Sequence, residues 1–196
     1  MAKRTAKIER TTKETQIELD LNLDGSGQYE IDTGAGFFDH MLCHVARHGL
    51  FDLMIKARGD LHVDAHHTVE DVAICLGQAI EKALGDKKGI VRFGSAIVPM
   101  EDSLAQVAID LCGRASCVYN VRYCSGKVGN FDVELVREFM RALSNNAQMN
   151  LHINVPYGSN NHHIAEAIFK AIGRALAEAV RIDDRIKDIP STKGIL

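Results

Sequence analysis

AHHTVED, residues 65–71, sets two adjacent histidines ahead of a glutamate, and SNNHHIAEAIFKAIGRALAEAV, residues 159–180, says nearly the same thing again. At an offset of 96 residues, His66, His67, Glu70, Gly77, Ala79 and Ala83 recur as His162, His163, Glu166, Gly173, Ala175 and Ala179. A repeat is read before individual elements, because it decides what the elements belong to. Both copies have helical periodicity: Val69, Ala73, Leu76 and Ile80 fall three or four apart, as do Ala165, Phe169, Ile172 and Leu176.

On such a helix residues three or four apart share a face, so either histidine of a pair can stand beside its glutamate. Neighbouring residues lie about 100° apart, so the two histidines of a pair serve two sites rather than chelate one ion. A single copy reads equally well as a surface or capping pair. Duplication favours metal, because the ligand types persist while Thr68, Val69 and Asp71 become Ile164, Ala165 and Ala167.

Outward from the first pair, TQIELDLNLDG (15–25) and QYEIDTG (28–34) alternate as half-buried strands. FFDHMLCHVARHGL (37–50) reads as a helix and FDLMIKARGDLHV (51–63) as a strand. In the second half, IVRFGSAIVP (90–99), SLAQVAIDLCG (103–113), ASCVYNVRY (115–123) and MNLHINV (149–155) read as strands. FDVELVREFMRALSNNA (131–147) reads as a helix with Val136, Phe139, Met140 and Leu143 inward. The expected fold is α+β by internal duplication: two strand-rich halves, each about four strands and two helices, with sheets packed and helices layered together. The halves span 1–87 and 88–196 and form one catalytic unit, with the boundary in GDKKGI (85–90) where turn residues gather.

A chain of 196 residues, 46% hydrophobic and 25% charged, has enough apolar content for a core and is not disordered. Its formal net charge of -3 points to neither nucleic acid nor an anionic membrane, so an anion site must be local. No run of about 18 apolar residues occurs, and MAKRTAKIER has no apolar segment behind its basic residues; a cytoplasmic protein is expected. Five cysteines without a CxxC pair read as reduced core thiols.

Of nine histidines, seven cluster at 40/44/48, 66/67 and 162/163. Imidazole and carboxylate without thiolate suit six-coordinate manganese(II), iron(II) or zinc better than a cysteine-rich structural zinc site. Pseudo-symmetry assigns His66, Glu70 and His163 to one ion and His67, His162 and Glu166 to the other. His40 and its counterpart Glu138 supply fourth ligands. His62 and His152, also paired by the repeat, are either further ligands or sheet-end residues. His152 competes with Glu138 for the fourth position. His44 and His48 share a helical face with His40, either lining the site or only covering the helix.

TKET (12–15), DTGAGFFDHML (32–42), HHTVED (66–71), RFG (92–94), CGR (112–114), NNHH with its glutamate (160–166) and PSTKG (190–194) occur in one order along the chain. In that set the chain resembles the imidazoleglycerol-phosphate dehydratase family of histidine biosynthesis, over nearly its whole length. The resemblance implies a hydro-lyase that converts imidazole glycerol phosphate to imidazole acetol phosphate with two manganese(II) ions per active site. It also implies trimers that assemble into an octahedral 24-mer with ligands shared across interfaces. Glu14 is implied as the acid/base group. His40, His44, His48, Arg92, Arg114, Lys170, Ser191, Thr192, Lys193 and Gly194 are implied as substrate contacts.

The chemistry fits those roles. The hydrogen to be removed sits on a carbon that is not itself acidic. Two metals holding the ring as imidazolate favour hydroxide departure and acidify the neighbouring C–H. Arginine suits the phosphate through paired hydrogen bonds. Two departures stand out: Glu138 replaces a histidine of many members, and PMEDSLA (99–105) differs from the expected PMDEALA, which leaves the roles of Glu101 and Asp102 open. The rival readings are a non-catalytic metal cage and a metal-dependent hydrolase; the first leaves Glu14 and the cationic tail without a task.

Overall fold

The alternation in residues 15–22 becomes a strand whose Ile17, Leu19 and Leu21 are buried while Gln16 and Glu18 face water. The computed structural model describes residues 3–196. Its first half runs β1 (Thr5–Thr11), β2 (Thr15–Asn22), β3 (Tyr29–Asp32), α1 (Gly36–Gly49), β4 (Asp52–Gly59), α2 (His66–Leu84). The second runs β5 (Phe93–Met100), β6 (Ser103–Asp110), β7 (Ser116–Asn120), β8 (Lys127–Val128), β9 (Phe131–Asp132), α3 (Glu134–Asn146), β10 (Asn150–Tyr157), α4 (Asn161–Val180).

The two main sheets share one topology. Their orders are β1-β2-β4-β3 and β5-β6-β10-β7, each opening with an antiparallel hairpin and closing with a parallel pair, β3 on β4 and β7 on β10. A small β8–β9 hairpin is added to the second half. Leu53, Ile55 and Ala57 of β4, Ala105, Val107 and Ile109 of β6, and Leu151 and Ile153 of β10 are all buried, so each sheet turns one apolar face inward. Helix α2 covers β1 and β2, and α4 covers β5 and β6. The helices also pair across the halves, α1 on α4 and α2 on α3. The duplication therefore yields sheet, helices and sheet in layers, an α+β architecture.

The repeated glycines mark those helix crossings. A Cβ on Gly173 would stand 2.7 Å from the Val45 carbonyl oxygen, and one on Gly77 2.8 Å from the Ala147 nitrogen. Because backbone on the facing helix cannot move aside locally, Gly173→Ala is expected to cost about 1–3 kcal/mol. In a thermal unfolding scan that lowers the midpoint by roughly 2–4 °C per kcal/mol; an unchanged midpoint would remove close packing as the reason for the glycine.

Three sequence expectations are corrected and one strand is added. β1 was not anticipated, since only Ala6 of its seven residues is fully buried and the apolar alternation is faint at this sheet edge. The third helix begins at Glu134 rather than Phe131, because Phe131 and Asp132 pair with Val128 and Lys127. β4 ends at Gly59, and Asp60 to Val63 form a turn closed by the Val63 amide on the Asp60 carbonyl at 2.8 Å. His62 and His152 are not equivalents: His62 lies beyond β4, whereas His152 pairs with Ala108 inside β10, as Met54 pairs with Asp20 inside β4.

The five cysteines carry no disulfide. Cys75 and Cys112 are buried and Cys43 and Cys117 partly so, but Cys124 is exposed and departs from the core reading.

Candidate metal and acid/base site

Asn160 caps α4, its side chain accepting from the amides of His162 (2.9 Å) and His163 (3.3 Å), so the helix starts with both histidines fixed in its first turn. The crossing of α4 on α1 then brings His40 to them. His162 Nε2 lies 3.1 Å and His40 Nε2 3.3 Å from Glu166 Oε2, and one donor atom from each of the three falls within 4.8 Å of the others. Among the described residues this is the one such group of three or more. Nitrogen and carboxylate donors this close fit manganese(II), iron(II) or zinc, and nothing thiolate-like stands among them.

Glu166 is buried between the Lys170 ammonium and the imidazoles of His40, His44 and His162. Its Oε1 lies 2.6 Å from Lys170 Nζ and 3.5 Å from His44 Nε2. Burial resists its ionisation, but the Lys170 hydrogen bond and the charges of His44 and Lys170 outweigh that and bring its pKa down to about 2. Glu166 is thus an anion at neutral pH. Burial also takes the His44 pKa down to about 4, with His40 and Lys170 adding to the effect against Glu166. His48 is lowered as well, by burial and then by Lys170 and Arg174, and stacks on His44 at 5.6 Å.

The histidines of each pair diverge. The rings of His66 and His67 meet at 78° and those of His162 and His163 at 76°. His163 turns its Nδ1 to Asp102 at 2.5 Å, and His67 turns its Nδ1 to Asp60 at 3.0 Å. A carboxylate at Nδ1 holds the proton there and leaves the Nε2 lone pair free to bind a metal. The Asp60 bond is also the chief reason the His67 pKa is raised.

The strand register relates Asp102 to Glu14. The Thr12 amide bonds the Thr15 carbonyl around a two-residue turn of Lys13 and Glu14, and Met100 pairs with Ser103 around Glu101 and Asp102. Both acidic groups therefore occupy the second turn position, immediately before β2 and β6. Asp102 is saturated: besides His163 it accepts from the Ser159 hydroxyl and amide and the Asn160 amide, which together hold its carboxyl far below the ordinary range. Glu14 is exposed, and its carboxylate stands 3.9 Å from His67 Nε2. One of two equivalent carboxylates is locked; the other is free.

Residues 33–176 match the family model described as imidazoleglycerol-phosphate dehydratase. The chain belongs to the imidazoleglycerol-phosphate dehydratase family. It is 58% identical to the imidazoleglycerol-phosphate dehydratase of Geobacillus kaustophilus, covering 98% of this chain and 99% of that one. It is 57% identical to that of Desulforamulus reducens over the whole of both chains. The crystal structure of the Staphylococcus aureus dehydratase superposes with a TM-score of 0.84 at 39% identity, covering 91% of this chain and 99% of that one. The Pyrococcus furiosus dehydratase gives 0.81 at 36% identity, covering 96% of this chain and all of that one. Dehydratases of this kind are hydro-lyases, and the chain is an enzyme of that class.

Other expected site residues lie apart from the His40 group within this dehydratase chain. Glu70 is exposed, His66 is fixed through its amide on Asp64 at 2.7 Å, and Glu138 pairs with Arg141 at 3.2 Å. On the opposite helix pair, α2 and α3, these three mirror Glu166, His162 and His40 in that order. His67 sits with Asp60 and Glu14 rather than with His162. His152 lies on the outer face of the second sheet, exposed, which sets it away from both helix pairs.

Arg92 is not a free cation. Its guanidinium spans both oxygens of Asp110 (2.7 and 3.1 Å) and donates to the Pro190 carbonyl at 2.8 Å, tying the tail to the start of β5. The tail continues through a turn closed by the Gly194 amide on Ser191, with Lys193 bonded to the Ser191 hydroxyl, and ends at Leu196 against Gly113, next to the exposed Arg114. Thr192 and Lys193 are exposed. Sequence reading missed Asp60 and overlooked the task of Asp102; the only signal for the latter is its equivalence to Glu14, which appears once the hairpin register is known.

Proposed function

We propose that this dehydratase converts D-erythro-imidazole glycerol phosphate to imidazole acetol phosphate and water in histidine biosynthesis, with two manganese(II) ions per active site. The observation that carries the reading is the convergence of His40, His162 and Glu166 beside Lys170, in a chain whose other half repeats the donors as Glu138, His66 and Glu70. Bound manganese would supply Lewis acidity to the ring nitrogens of the substrate. His163 and His67, each held at Nδ1 by an aspartate, would offer Nε2 as further ligands.

The protein's own groups do the rest. The hydroxyl leaves from the carbon that bears the imidazole, and the neighbouring carbon gives its proton to the unencumbered Glu14 carboxylate. The departing hydroxide and that proton make water, and the enol so formed takes a proton at the ring-bearing carbon while its hydroxyl gives one up, so water is the only loss. Lys170, Arg114 and the donors of Ser191, Thr192, Lys193 and Gly194 hold the phosphate, with Arg92 shaping the tail that carries them.

The proposed site is assembled between copies of the chain, through trimers and an octahedral 24-mer. Arg92 stands at the opposite end of the β5–β6 hairpin from Asp102 and His163, eight strand residues away. That is about 25 Å, too far for one chain to hold the imidazole at the metals and the phosphate at the tail that Arg92 ties down. The test is direct: manganese-loaded protein incubated with imidazole glycerol phosphate should yield the acetol phosphate, followed by phosphorus NMR. Full manganese occupancy with no product would end this reading.

A further inference from the structure

The two halves treat one buried position in opposite ways. In the first, Asp71 of α2 is buried, accepts the Thr15 hydroxyl at 2.5 Å and pairs with Arg10 at 2.9 Å. Arg10 sits opposite Ile17 in β1, as Val98 sits opposite Ala105 in β5, so Val98 takes its place in the second half. Ser103 stands for Thr15 and Ala167 for Asp71, all buried, and the Ser103 hydroxyl has no partner. An ion pair on one side is replaced by buried apolar residues on the other.

Stability does not explain the difference, since a buried ion pair is commonly matched or bettered by packed apolar groups. The Arg10 Nε is itself buried without a partner. What differs between the halves is the hairpin turn above. In the second half Asp102 anchors its own turn through Ser159, Asn160 and His163. Glu14 makes no such bonds, so its turn must be held by something else.

The bonds run from Asp71 to that turn without a gap. The Thr15 hydroxyl on Asp71 lies 3.2 Å from the Thr12 hydroxyl, which accepts the amides of Glu14 (3.0 Å) and Thr15 (2.9 Å). Asp71 is also one helical turn beyond His67, the imidazole facing the Glu14 carboxylate. We propose that Asp71, with Arg10 and Thr15, is a positioning device that holds the Glu14 turn at a fixed distance from α2 for proton transfer. The inference rests on Glu14 being the acid/base group.

The test copies the second half into the first. Arg10→Val combined with Asp71→Ala is prepared as the manganese-loaded protein and compared with the parent for kcat, KM, bound manganese and melting midpoint. The expected result is a kcat lower by roughly 10- to 100-fold, the cost of a misplacement on the ångström scale, with KM and manganese content unchanged. A parental kcat overturns the proposal, and so does a fall in kcat that tracks loss of manganese or of the fold. Glu14→Gln measured alongside separates the two ideas. If Glu14→Gln is inactive while the double variant is fully active, the positioning role fails and the Glu14 role stands; an active Glu14→Gln removes both.

Discussion

Glu14→Gln is expected to keep its manganese and its assembly while turnover falls by about 10²–10⁴-fold, the usual worth of a positioned acid/base group. The substitution removes a proton acceptor and alters little else. Glu14 is exposed, the turn that carries it is closed by Thr12 and Thr15, and its nearest imidazole is 3.9 Å away. No buried contact is lost. Metal analysis and gel filtration set beside kcat read the three properties separately. Loss of manganese in this variant would show that Glu14 had been misassigned and belongs among the ligands.

The second large effect is expected of His162→Ala, which should lower manganese occupancy and reduce activity to near background. His162 is the member of the His40–Glu166 group closest to the carboxylate among the imidazoles, at 3.1 Å. Its removal opens the donor set while Glu166 remains paired with Lys170 at 2.6 Å, so the fold has little reason to fail. Manganese(II) counted by atomic emission after dialysis, with circular dichroism as the check on folding, decides the matter. Full metal content in the folded variant would take His162 out of the ligand set.

Much of the fold is legible in the sequence. The HH repeat announced a duplication, and the three-to-four spacing placed its histidines at helix starts with divergent aims; Gly77 and Gly173 proved to be the crossing points of those helices. β1 was not legible because an edge strand buries little. The β8–β9 hairpin is not legible because two-residue strands leave no periodicity, and the apolar pattern therefore runs the third helix three residues beyond its true start.

Gly173 meets Val45 and Gly49 as Gly77 meets Leu143 and Ala147, so α1 and α3 stand in the same register and His40 corresponds to Glu138, whereas the strand register breaks the likeness of His62 to His152. Asp60 and Asp102 were invisible for a physical reason: a carboxylate that orients an imidazole across a turn has no fixed spacing from it. His67 and Asp60 are seven residues apart, His163 and Asp102 sixty-one. Arg92 shows the reverse limit, since its residue type suggested an open phosphate cation and Asp110 already occupies it.

The central claim is that a duplicated histidine–glutamate device holds two manganese ions for dehydration. It is tested most directly by stripping the protein of metal and titrating manganese back while free manganese(II) is read by electron paramagnetic resonance and turnover is measured in the same samples. The account predicts saturation at two ions per chain, with dehydration absent from the stripped protein and restored as the sites fill. Saturation at a single ion, or full turnover in the stripped protein, would contradict it.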